Sequence, residues 1–244
     1  VDGRSALEYK SYYAENGKVT VNQTAYDLAD FAQVKSLLGW KDANSALYPT
    51  TTALKFTDIA ACTPVYLGFD TMNGASVRIE SAEGGKSGIR FMTIFDVDDY
   101  AAAKSYLTSF GTLITYTDTL NTIKKDFTID NYTGEATFAQ VKNNKGVFTY
   151  QDKNGNNYKA YSMALVDIEN YAKEYSARGY LEVTYADETT QIIYTDYNAA
   201  DNSRSLAKVA YLLKTQDPTA YEAMTDARKA ILDSYADAYV VPEA

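Results

Sequence analysis

Four arginines stand inside short apolar, strand-like runs of this chain: Ser76-Val77-Arg78-Ile79, Ile89-Arg90-Phe91, Ala177-Arg178-Gly179-Tyr180 and Ser203-Arg204-Ser205-Leu206. The chain has 17 lysines but only six arginines, so this placement is selective. A guanidinium keeps its proton and presents a planar fork of donors that must be filled by carboxylates or carbonyls. Two chemistries follow. The four could form a bidentate site for the carboxylate of an acidic sugar or a chain terminus. They could instead pair inside the fold with acids such as Asp96, Glu182 or Asp201.

Other side chains narrow the choice. There is no histidine, which excludes Ser-His-Asp and Cys-His nucleophile activation. The single cysteine, Cys62, can form no internal disulfide and cannot make a zinc site alone. No metal or cofactor is expected. An EF-hand-type loop around Gly17 fails, because Tyr12, Ala14 and Asn16 stand where oxygen ligands belong. Gly84-Gly85-Lys86-Ser87 lacks the first glycine of a phosphate loop and precedes a strand.

The 32 acids leave paired-carboxylate glycoside hydrolysis open, with Asp96, Asp98 and Asp99 as the nearest local candidates. The same three residues suit the start of a short helix. No catalytic motif emerges. Tyrosine is the compositional outlier, at 23 against nine Phe and one Trp. Tyr158, Tyr161, Tyr180, Tyr185, Tyr194 and Tyr197 fall in two hairpins and could stack on sugar rings or pack across strands. The candidate ligand-facing set is Arg78, Arg90, Arg178, Arg204, Tyr158, Tyr161, Tyr194, Tyr197 and Trp40.

These residues need a framework to hold them. With 244 residues and 46% hydrophobic content the chain can bury a sizeable core. Its net charge of −9 argues against nucleic acid, and its apolar runs are too short to insert in a membrane. No signal peptide is read at Val1, and the chain reads as a piece of a longer one.

Three segments are expected. Residues 1–62 read as a helical or mixed lead-in, with Leu28, Phe31, Val34, Leu37 and Leu38 at helical spacing. Residues 63–200 read as a β-rich core. Its turns include Asp152–Asn157, where Asn154-Gly155 favours a hairpin, and Ala186–Thr190. A helix is expected over Asp98–Thr108. Residues 201–244 read as a helical pair packed on the core, capped by Asn202 or Ser203 and then opened again by Asp217-Pro218, running on to Tyr235. The fold class is α+β: a mainly antiparallel sheet or sandwich with helices at both ends.

The ordered set Asn73–Ile79, Gly88–Phe91, Phe110–Ile114, Ser176–Tyr185 and Asn202–Leu206 resembles a poorly characterised module of large secreted or wall-attached proteins of gut Firmicutes. The likeness covers roughly 72–213. It implies an extracellular setting and a non-catalytic role, and names no ligand. Together with the missing catalytic constellation, it makes the leading expectation a binding or adhesion module of a bacterial surface protein, with host glycoprotein (immunoglobulin included) or polysaccharide and neighbouring domains of the same chain as partners. The rival readings are a hydrolase working with acids alone and a purely structural spacer.

Overall fold

The computed structural model describes residues 18–21, 24–27, 35–50, 62–71, 75–79, 87–152 and 154–241. These form an α+β fold whose strand pairs are all antiparallel. Strands β1 (Lys18–Val21) and β2 (Thr24–Asp27) make a separate hairpin.

The larger sheet runs in the order β10 (Phe148–Gln151), β11 (Asn157–Val166), β7 (Gly88–Phe95), β5 (Thr63–Thr71), β3 (Lys35–Lys41), β4 (Leu47–Tyr48). Strand β6 (Ser76–Arg78) pairs with the first half of β7. The second sheet runs β13 (Thr190–Tyr194), β12 (Glu174–Thr184), β8 (Leu107–Tyr116), β9 (Ala139–Lys142), with β14 (Ser203–Ser205) also on β12.

Period-two alternation decides what each sheet buries. On β5, Val65, Leu67 and Phe69 point inward while Tyr66, Gly68 and Asp70 point out. They meet Leu181, Val183 and Tyr185 of the second sheet in one core, with Phe95 and Tyr161 between. A second core sets Ile89, Phe91, Met163 and Ala177 against α5 (Leu206–Gln216) and α7 (Asp226–Ala236). The opposite face of the second sheet buries Leu113 and Tyr180 under α2 (Thr117–Ile123) and α3 (Ile129–Tyr132), with Phe127 and Tyr132.

Between the first two cores lies a polar waist. Gly179 is the one position on the inner face of β12 without a side chain between Ala177 and Leu181. Its N–H donates to Thr71 Oγ1 at 2.8 Å and to Thr195 Oγ1 at 3.0 Å. A Cβ there would lie 2.8 Å from Thr93 Oγ1, so only glycine lets the sheets approach this closely.

Several expected elements stand as read. The Asp152 hairpin pairs Gln151 with Asn157, and Gly155 takes φ 88° in its turn. The Ala186–Thr190 hairpin pairs Thr184 with Thr190, and Leu181, Val183 and Tyr185 are buried as the alternation required. Asp217 caps α6 (Pro218–Glu222) with Pro218 in its first turn.

Others differ. Residues 35–38, expected at the end of a helix, belong to strand β3; a short apolar run fits either period, and pairing with β5 decided it. Thus β3 and β4, inside the expected lead-in, complete the same sheet as β5. Residues 28–34 and the Gly17 loop lie outside the described residues.

Helix α1 spans only Val97–Ala103 before a 3₁₀ turn, Lys104–Tyr106, leads into β8. Helix α5 is capped by Ser205, because Ser203–Ser205 first pairs with Glu174–Ser176. The tail helix breaks after Glu222 and restarts at Asp226, where Thr225 accepts from Arg228 N. The short α4 (Ala199–Asn202) is capped by Asn198.

Candidate functional site

The four arginines do not converge. Arg178, only 11% exposed, donates from Nε to Thr195 O (2.6 Å) and from NH1 to Asp126 Oδ1 (2.8 Å) and Phe127 O (2.9 Å). Its guanidinium also lies 5.0 Å from the Tyr194 ring centroid. It ties β12 to the chain after β13 and to the loop before α3. Arg204 donates from NH1 to Ala200 O (2.6 Å) and Ser203 O (2.8 Å), closing the turn around α4. Arg90 is exposed on the outer face of β7, opposite Ser76 and Ala164, with no hydrogen bond or ion pair to a described residue. Arg78 pairs through its backbone with Gly88; its side chain lies outside the description.

The tyrosines separate in the same way. Tyr161 is 1% exposed and donates to Gly111 O, so the expectation that it faces a ligand gives way to a core role, driven by the apolar stack of Phe95 and Phe110 around its ring. Tyr194 lies half-buried beneath Arg178, and its hydroxyl accepts from Ile129 N. Tyr197 bonds to Ser176 Oγ and Ser203 Oγ at 3.0 and 3.1 Å, in a hydroxyl cluster that continues to Thr117. Among these hydroxyls no carboxylate, amine or imidazole is hydrogen-bonded to act as a base. Trp40 sits on β3 opposite Tyr48, near the far edge of the larger sheet.

Of that set Tyr158, Tyr197 and Arg178 line a groove on the outer sheet face. The groove has two lobes that share Asp70 and Asp196. One, of about 270 Å³, is lined by Gly68, Phe69, Asp70, Ile94, Asp96, Tyr158 and Asp196. The other, of about 450 Å³, adds Asp126, Arg178, Tyr197, Asn198, Asp201 and Asn202.

Strand register builds this surface. Asp70 pairs with Ile94 and Ile94 with Ala160, so all three share the outer face. Beside them Tyr158 pairs with Tyr150 and Ala160 with Phe148. The Tyr150 and Tyr158 rings stack with centroids 6.3 Å apart and planes at 29°, and Phe148 is 43% exposed. An aromatic rail therefore runs from the hairpin into the groove.

Asp70 is the electrostatic centre. Its pKa rises to about 6, first through loss of hydration in the groove and then through the negative charges of Asp196 and Asp201, against a lowering bond from the Thr71 backbone. Its tip still reaches solvent, which moderates the effect. Asp96 on the wall is committed as the cap of α1, accepting from Asp98 N and Asp99 N at 3.0 Å. Asp99 in turn accepts from Gly68 N (2.8 Å) and pairs with Lys35 (3.0 Å), fixing the groove floor. The Asp96–Asp98–Asp99 run thus does the structural work its spacing allowed.

The sequence reading does not single out Asp70, Asp196, Tyr150 or Phe148, and offers Asp201 only as an internal partner for an arginine. Asp70 was findable as a charge at the end of an apolar alternation, and Tyr150 from the hairpin register. Asp196 and Asp201 reach the groove only through the packing of one sheet on the other.

Among the described residues no group of three or more His, Cys, Asp or Glu side chains could hold a metal, and no helix is long and apolar enough to cross a membrane. Comparison with known proteins finds no matching family model, curated protein or solved structure.

Proposed function

We propose that this chain is a non-catalytic extracellular binding or adhesion module of a bacterial surface protein, and that the outer-face groove takes the glycan of a host glycoprotein or a polysaccharide. The observation that carries this reading is the stacked Tyr150–Tyr158 pair leading into a groove edged by Asp70 and Asp196. Sugar recognition needs both parts. A flat ring covers the apolar face of a pyranose, and carboxylates accept from its hydroxyls. Groove and rail lie on rigid strands, which lowers the ordering cost of binding. The motif set and the lack of a catalytic motif in the sequence point the same way.

A glycan array, run beside immobilised immunoglobulin and mucin, tests the reading. Binding to a glycan, or to mucin but not to deglycosylated mucin, with at least tenfold loss in Tyr158→Ala, is the expected result. Binding to immunoglobulin that survives deglycosylation would move the ligand to a protein surface. Silence on every arm would leave a spacer.

One observation favours a second reading. Asp70, its carboxyl pushed up to about 6 by burial and by the neighbouring Asp196, has the raised pKa that a glycosidase acid requires, with a second carboxylate on the same groove. Turnover of chromogenic glycosides, lost in Asp70→Asn and Asp196→Asn, would establish it.

A further inference from the structure

We infer that the groove selects uncharged sugars and turns away acid-bearing ones, an inference that rests on the glycan-binding reading above. Five carboxylates line its two lobes, those of Asp70, Asp96, Asp126, Asp196 and Asp201, against the one guanidinium of Arg178. Three of that guanidinium's five N–H donors are already taken. Its Nε and NH1 donate to Thr195 O, Asp126 Oδ1 and Phe127 O, so it cannot swing out to take a ligand carboxylate in a fork.

Arg90, the exposed arginine of the outer face, lies four residues along β7 from Ile94, about 13 Å at strand rise. That is beyond the Debye length of about 8 Å at physiological ionic strength, so it does not offset the acids at Asp70. A sialic, uronic or sulfated sugar seated on Tyr158 meets like charge on several sides. A neutral pyranose meets carboxylate acceptors that its hydroxyls satisfy as donors. The acids are thus both the hydrogen-bonding partners and the filter.

The sequence alone leaves the four guanidiniums either a site for an acidic sugar or pairing inside the fold. In the fold, Arg178 and Arg204 bond to the protein's own groups, and the surface they leave is negative.

The test uses paired oligosaccharides identical except for the acid: galactose-terminated and sialylated lactosamine, and plain and glucuronic-acid-decorated xylo-oligosaccharides. Titration calorimetry is run with wild type and with Asp70→Asn/Asp196→Asn, after thermal melting confirms that the variant folds. The expected result is at least tenfold weaker binding of the acidic member, with the neutral-to-acidic ratio shrinking toward unity in the variant. The wild-type ratio must also shrink between 0.05 and about 0.5 M salt, a readout that needs no substitution. Acidic members that bind as well as or better than neutral ones would overturn the inference while leaving glycan binding intact. Failure of every oligosaccharide to bind would overturn both.

Discussion

Replacing Gly179 with alanine tests the join between the two sheets. The new methyl would stand 2.8 Å from Thr93 Oγ1, 2.9 Å from Thr195 Cγ2 and 2.9 Å from Thr93 Cγ2. Ordinary carbon contacts lie at about 3.5–4.0 Å, so two buried threonines, one on β7 and one just after β13, must retreat by at least half an ångström. Neither is a flexible chain end: Thr93 is 1% exposed on β7, and Thr195 is 1% exposed and bonded to Thr71 at 2.8 Å.

Overpacking of this kind costs about 1–3 kcal/mol, and straining the two bonds from Gly179 N adds about 1 kcal/mol. Alanine's smaller loss of chain entropy returns about 0.5–1 kcal/mol. The net expectation is destabilisation by about 1–3.5 kcal/mol, centred near 2. Urea unfolding reads it as a midpoint lowered by about 1 M at an m-value of 2–3 kcal/mol/M, with m unchanged. Thr93→Ala removes both Thr93 atoms that meet the methyl, so Gly179→Ala/Thr93→Ala should recover about half of the loss, a coupling that additive sites lack. A Gly179→Ala midpoint within about 0.2 M of wild type would refute the close-approach argument.

Four further outcomes follow from the geometry. Asp70 has a folded pKa near 6, above its unfolded 3.8, so its contribution is fully present below pH 3.8 and lost as pH rises through 6. The full shift corresponds to about 3 kcal/mol, which the solvent-reaching tip reduces to about 1 kcal/mol or less. Asp70→Asn should therefore raise the melting temperature at pH 7.5 and flatten its pH dependence between 4 and 6.5, and a lowered value at pH 7.5 contradicts this. Arg178→Lys should cost about 2 kcal/mol through lost carbonyl bonds. A double-mutant cycle with Asp126→Asn should assign less than about 1 kcal/mol to the ion pair, because Asp126 is 67% exposed. Tyr161→Phe should cost about 1 kcal/mol by removing the buried hydroxyl's bond to Gly111 O, yet leave glycan binding unchanged, as expected for a ring sealed in the core.

Sequence patterns reached the sheets further than the site. Alternation along 181–185 and the Asn154-Gly155 turn are local signals, and both hairpins formed where these placed them. The run through Leu37 and Leu38 gave no such guidance, since its strand state depends on β5, which begins more than twenty residues later. Arginine placement marked two positions, Arg178 and Arg204, where the fold holds a fixed cation, and Arg178 shows why: one side chain satisfies two loop carbonyls and an aspartate. The groove was hidden because its two halves come from different sheets. Asp70 and Asp196 are separated by 126 positions in the chain yet share both lobes.

The central claim is that a sugar sits on the outer face of the larger sheet without being cleaved. An amide chemical-shift titration with the strongest neutral oligosaccharide, monitored in the same tube for hydrolysis, tests it directly. The account predicts shifts confined to 68–71, 94–96, 150, 158 and 196–198, with the oligosaccharide intact at the end. Shifts centred on Trp40 or on the hydroxyl cluster around Ser176, or appearance of a shorter sugar, would contradict it.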